Sequence, residues 1–192
     1  MLAWSYRFAT NIELVDTQHK KLFDLLNVLS DCFDKEGPSE AMVDDAINQL
    51  VSYADKHFTE EEELMKEHRI DPRHFDIHHL EHKSFMYDVE RLRNYMSIDE
   101  AAEELVSFIT SWLTYHILSV DQVMAAQIAA IQSGTSPEQA YDDHHIFPYD
   151  AVVTRMMLNS VLVLWRNSMD RCYKLEDEMT ALQAKLNQSA RK

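Results

Sequence analysis

Residues 50–65, Leu-Val-Ser-Tyr-Ala-Asp-Lys-His-Phe-Thr-Glu-Glu-Glu-Glu-Leu-Met, contain no Gly or Pro and carry a helical stripe at Leu50, Ala54, His57, Glu61 and Leu64. A stripe recurring every three or four residues is the face a helix buries, and it should be apolar. Here His57 and Glu61 interrupt it one turn apart. The same helix reads back through Ile47 and Val43 to Ser39 and forward to about His68.

Working outward, the break repeats. A helix starting near Asp16 or Thr17 and ending before Gly37-Pro38 has the stripe His19, Leu22, Leu26, Leu29, Phe33. One running from Pro72 to about Met96 has Phe75, His78, His82, Phe85, Val89, Leu92. A fourth, capped by Ser97 or Asp99 and reaching Ile131, has Leu105, Ile109, Trp112, His116, Val120, with Asp121 beside it. Four helices with short connections predict an all-α fold, an up-down-up-down four-helix bundle, with one more long helix at the C-terminus.

Such a bundle buries five histidines and two carboxylates. Unpaired buried polar groups cost about 1–3 kcal/mol each and isolated charges far more, so one partner must satisfy them together. A metal does so. His57 with Glu61, and His78 with His82, each present two ligands from one helix face. His116 and Asp121 are five apart, roughly 140° around an α-helix, so they cannot point the same way but can flank a centre wider than one ion. Imidazole with carboxylate suits iron, zinc or copper. Two metals bridged by Glu61 and Asp121 use all seven ligands and leave one coordination position open. The bland alternative for any one of these histidines is a hydrogen-bonded core residue; seven on four stripes argue against it. Ferritin-like proteins pair Glu-x-x-His motifs, and none occurs.

Composition narrows the rest. Of 192 residues only two are Gly and four Pro, which excludes glycine-rich phosphate loops and a turn-rich all-β fold. The net charge of −15 disfavours nucleic acid and anionic membrane as partners. No run approaches a membrane span, and the polar start is unlike a signal peptide, so a cytoplasmic protein is expected. Cys32 and Cys172 are too few for a disulfide framework and are expected to pack. Glu60, Glu62 and Glu63 are expected on a solvated face, and His68, His74 and His79 at the surface or behind the ligands. Asp142-Asp143-His144-His145 is expected to be solvated or capping.

Trp4, the segment ending Asp16-Thr17-Gln18-His19-Lys20, His57-Phe58-x-x-Glu61-Glu62-x-Leu64-Met65, His78-x3-His82-x2-Phe85 and Trp112-Leu113-x2-His116-Ile117-x3-Asp121 together resemble the hemerythrin family, specifically the bacterial hemerythrins. The resemblance covers about residues 1–125. One departure is Asn11, where many relatives carry Gly in a turn before the Ile. The resemblance implies a non-haem di-iron centre that binds O2. It places one iron on His78, His82 and His116, the other on His19 and His57, and Glu61 and Asp121 as bridges with a solvent-derived oxo or hydroxo group. Leu22, Phe23 and Ile117 are the candidate O2-pocket residues.

The chain continues beyond such a domain. Residues 1–131 are expected to form the bundle, 132–148 a linker, and 149–192 a long helix. The charge divides similarly: 25 acidic and 11 basic residues lie in 1–125, against 8 and 7 in 126–192. In the tail, Leu158, Val161, Trp165, Ser168, Cys172, Leu175, Met179, Leu182 and Leu186 alternate by threes and fours, a coiled-coil register suited to a homodimer. The alternative is a helix packed on the bundle, which Met157, Leu162 and Leu164 favour. The linker and long helix resemble the connection after hemerythrin domains in bacterial signalling proteins, some with a downstream diguanylate cyclase; no cyclase motif is present. An oxygen or redox sensor is therefore the leading expectation, an O2 store or carrier the second, and reduction of peroxide or nitric oxide the third.

Overall fold

The structure, a computed structural model, describes residues 2–33, 40–95, 98–145 and 149–189. Its helices are α1 (Glu13–Phe33), α2 (Glu40–Glu67), α3 (Pro72–Tyr95), α4 (Ile98–His116), α5 (Gln122–Gln132), α6 (Pro137–His144) and α7 (Ala151–Ser189). A π-helical segment, Ile117–Asp121, joins α4 to α5 as one continuous rod. α1 packs on α2 and α4, α2 on α3 and α3 on α4, closing the expected four-helix bundle. α6 folds back on α5, and α7 runs along α4 and touches the π-helical segment.

Local chemistry fixes the ends. α1 begins at Glu13, earlier than the expected cap at Asp16. The Asp16 carboxylate instead accepts bonds from the Thr10 amide (2.7 Å), the Thr10 hydroxyl (2.8 Å) and the Asn11 amide (3.1 Å), pinning the entering chain. Asn11 has φ 63°, the left-handed conformation in which Gly or Asn is least strained. Asp71 caps α3 by accepting from the Arg73 amide at 2.9 Å, with Pro72 at the first helical position. Gly134, at φ 97°, closes α5: its amide donates to Ile131 and the next to Ala130. Arg69 (φ 54°) turns the end of α2 the same way, and Ile70 then packs with Met65. The expected turn at Gly37-Pro38 and the cap at Ser97 lie outside the described residues.

Two sequence expectations change. The stretch expected as a linker contains α6, started by Ser136, whose hydroxyl accepts from the Gln139 amide, and by Pro137. Arg73 holds this helix to α3 through Asp142 (2.9 Å) and the Tyr141 ring. His145 bonds the carbonyls of Tyr141 and Asp142, so Asp142 and His145 pin and cap the helix. Cys32 is buried, but Cys172, expected to pack, is exposed. No helix among the described residues is long and apolar enough to cross a membrane.

The apolar interior comes in two parts. The larger includes Leu22, Phe23, Leu26, Ala54, Phe58, Phe85, Trp112 and Leu113; the smaller, at the other end, is Val15, Met65, Ile70, Met124 and Ile128. Between these residues on each helix, one turn from either side, lie the polar positions singled out by the stripes. The polar layer is therefore closed above and below by hydrocarbon.

Candidate metal centre

All seven polar residues converge, and all are buried: none of His19, His57, Glu61, His78, His82, His116 and Asp121 is more than 2% exposed. One ligand atom from each of Glu61, His78, His82 and His116 lies within 4.8 Å of the others, and a second group within the same span is His19, His57 and Glu61. Glu61 belongs to both. Its Oε2 faces Nε2 of His57 (3.6 Å), His78 (3.4 Å) and His82 (3.5 Å), while Oε1 faces His19 at 4.0 Å. Asp121 spans the gap too: Oδ1 lies 3.1 Å from His116 and 3.3 Å from His78, and Oδ2 3.2 Å from His19.

His116 and Asp121 require a correction. They were expected about 140° apart on an α-helix, but the chain between them is π-helical. The wider turn carries the fifth residue round to the same side, so both point inward. The five-residue spacing was the only sequence sign of this bulge.

The outer ring nitrogens are held by a second layer. Nδ1 of His116 meets Glu81 at 2.9 Å, Nδ1 of His82 meets Glu62 at 3.2 Å, and Nδ1 of His78 meets His74 at 3.4 Å. Nδ1 of His57 donates to the Gln18 amide oxygen at 2.9 Å, and the Gln18 amide nitrogen donates to Glu60. With Nδ1 donating, each ring directs the lone pair of Nε2 inward. The Nε2 atoms of His78 and His82 each lie 3.2 Å from that of His116. Lone pairs so close need a proton or a cation between them.

Electrostatics point the same way. Burial pushes His57 and His74 down to about 3, leaving both neutral. Burial also disfavours charge on His116, but Asp121 and Glu81 outweigh it and hold its pKa up at about 10. Burial would raise Glu61 and Asp121, yet the facing imidazoles keep both below the usual carboxylate range. Two buried carboxylates thus stay ionised, and they raise His78 as well as His116 against the cost of burial. Neither oxygen of Glu61 or Asp121, and neither nitrogen of His19, has a hydrogen-bond partner. Ionised, dry and unbonded oxygens beside inward lone pairs fit a multivalent cation, and the donor set fits iron or zinc.

The aromatic shell fixes the rings. Phe58 stacks on His82 at 4.0 Å and Trp112 on His116 at 4.2 Å. Trp4 lies over the side of Phe23 and 6.4 Å from His19. Leu22, Phe23 and Ile117 are all buried, the first two one turn beyond His19 and the third next to His116. Gln18, Glu62, Glu81 and His74 back the inner ring; His74 was expected behind the ligands, whereas Glu81 was not singled out in the sequence. Glu62 was expected on a solvated face, but it accepts from His79 (2.7 Å) as well as His82. Glu63 is exposed as expected.

A four-helix bundle whose central layer is five imidazoles and two carboxylates, grouped around a shared glutamate, defines a helical cation-binding domain. The family model described as "Hemerythrin HHE cation binding domain" matches residues 10–128, and the chain belongs to the hemerythrin family. A bacteriohemerythrin of Clostridium acetobutylicum is 32% identical over 130 residues, covering 64% of this chain and 97% of that protein. One of Methylococcus capsulatus is 29% identical over 134 residues, covering 68% and 98%. A myohemerythrin of Theromyzon tessulatum is 30% identical over 118 residues, covering 62% and 86%. No solved structure gives a significant match. The family match ends before α6 and α7 begin.

Proposed function

We propose that the cage holds two iron ions and binds O2, and that the chain is an oxygen or redox sensor whose α7 carries the change to an output. His78, His82 and His116 would hold one iron, His19 and His57 the other, with Glu61 and Asp121 as bridges. The observation that carries this reading is the pair of ligand clusters sharing Glu61, whose oxygens are buried and unbonded. Bound iron would supply the redox chemistry and the site at which O2 binds. The chain orients the rings through Glu62, Glu81, His74 and Gln18, and keeps bulk water out with the two apolar clusters. Leu22, Phe23 and Ile117 would govern how ligands enter.

The sensing role is supported by the path out. His116 and Asp121 bracket the π-helical segment, and α7 packs on that segment and on α4. A shift of either ligand therefore reaches α7 through direct contact, provided two arrangements lie close in energy. A store or carrier is the second reading, favoured by relatives matched over nearly their whole length by the bundle. Oxygen titration of the ferrous protein with and without residues 149–192 separates them. A sensor changes helix geometry or self-association with O2, and its affinity shifts on truncation; a carrier shows neither. A protein with no reversible spectral change on oxygenation is not an O2-binding domain at all.

A further inference from the structure

We propose that the outward face of α7 is an interface for a second copy of this chain, paired as a parallel, in-register coiled coil. The helix has two apolar faces. One is covered, because Val153, Met156, Met157 and Leu164 pack on the main core and Ser160 lets α7 approach closely. The other is not: Leu158, Trp165, Met179 and Leu186 are 56%, 61%, 65% and 69% exposed. Large apolar side chains in one continuous line are an interaction surface rather than scattered exposure.

The covered face ends at Arg171, whose guanidinium reaches Asp88 at 3.6 Å and the Tyr87 ring. Beyond it, every described side chain from 172 to 187 is exposed, while the helix runs on to Ser189. That projection is about 27 Å long at the α-helical rise. Most helical stability in proteins comes from packing an apolar face, and this stretch packs on nothing within the protomer. Its apolar line, at alternating steps of three and four, continues the register of the exposed line in the first half.

The flanking charges choose the occupant. With Leu158, Trp165, Cys172, Met179 and Leu186 in the first core position of each heptad, Arg171 falls in the flanking position before the core and Glu176 in the one after. These positions, five apart, face each other across a parallel in-register pair, so the partly exposed Arg171 guanidinium, 3.6 Å from Asp88 in the protomer, turns from it to Glu176 of the second copy, twice by symmetry. Glu178 then faces Gln183, and no like charges meet. A copy of the same helix thus meets apolar surface with apolar surface and opposite charge with opposite charge. The pairing sets both metal cages at one end and brings the two C-termini out together. Only its meaning for signalling rests on the sensing role proposed above.

Sedimentation of the full, metal-loaded chain tests it, with Trp165→Glu as the disrupting variant. The expected result is a dimer that the substitution weakens about a hundredfold or more, since it removes a large aromatic and buries a charge. Trp165 lies away from the bundle, so metal content and visible spectrum should not change. Orientation is read by cross-linking with oxidised glutathione: native Cys172, and separately Leu182→Cys in a Cys172→Ser background, should each link to itself. A monomeric wild type, a dimer indifferent to Trp165→Glu, or failure of the Leu182→Cys variant to cross-link overturns the proposal. A parallel dimer that does not respond to O2 would leave the interface standing and remove the sensing role instead.

Discussion

The centre of the bundle and the outer face of α7 invert the ordinary rule in opposite directions. In the bundle, seven polar side chains lie inside among hydrocarbon, none more than 2% exposed. On α7, leucines, a valine, a tryptophan and a methionine of a regular core register stand outside, 42–69% exposed. Each inversion carries a free-energy cost in the isolated protomer. The missing partner differs accordingly: unbonded carboxylates and inward lone pairs call for a cation, whereas a charge-flanked apolar line calls for another helix. A sequence that spends stability in two places marks two binding events.

The largest effect expected comes from removing the residue shared by both clusters. Glu61→Ala should lose at least one of two bound metals, read by elemental analysis; full retention would mean that the clusters do not share a bridge. Removing metal from the native chain is next. A cation that binds only the folded state stabilises it by about 4 kcal/mol at a thousandfold excess over Kd. For a chain of this size that is roughly 10 °C in Tm. A metal-free protein melting at the same temperature would show that the polar layer is satisfied without a cation.

The outer layer should matter less than the inner one. Glu81→Gln keeps the shape behind His116 but removes the charge, and should weaken metal binding by about 10–100-fold. Measurement with zinc, which takes no part in O2 chemistry, isolates this effect. Smallest is the contrast between the two faces of α7. Met156→Ala, on the covered face, should destabilise the protomer by about 1–2 kcal/mol, while Leu182→Ala, on the exposed face, should cost about 0.5 kcal/mol or less. Denaturant unfolding at a concentration low enough to dissociate any dimer makes the comparison. Equal costs would mean that α7 does not sit on α4 as described.

What the sequence revealed follows from what periodicity can carry. The four stripes named every inner residue of the cage, because a polar residue on a buried face stands out against its apolar neighbours. The outer layer did not stand out. Gln18, Glu62 and Glu81 sit one position from a ligand, about 100° around the helix, where a polar residue is ordinary. Only packing shows that Glu81, next to His82, reaches across to His116 on another helix. The π-helical segment was hidden because a changed hydrogen-bond ladder leaves no mark on composition, although the spacing of His116 and Asp121 hinted at it. α6 was legible and missed: Ser136 followed by Pro137 is a helix start. For α7 the packing on the bundle is seen over 153–164, while 158–186 leaves the expected coiled-coil line exposed.

In the proposed centre two clusters around one glutamate hold two irons. Iron content and the visible spectrum of the aerobically purified chain test it together. The expected result is about two irons per chain, with the charge-transfer bands of an oxo-bridged diferric pair that bleach on reduction. One metal per chain, or zinc with no visible band before or after iron reconstitution, would contradict it.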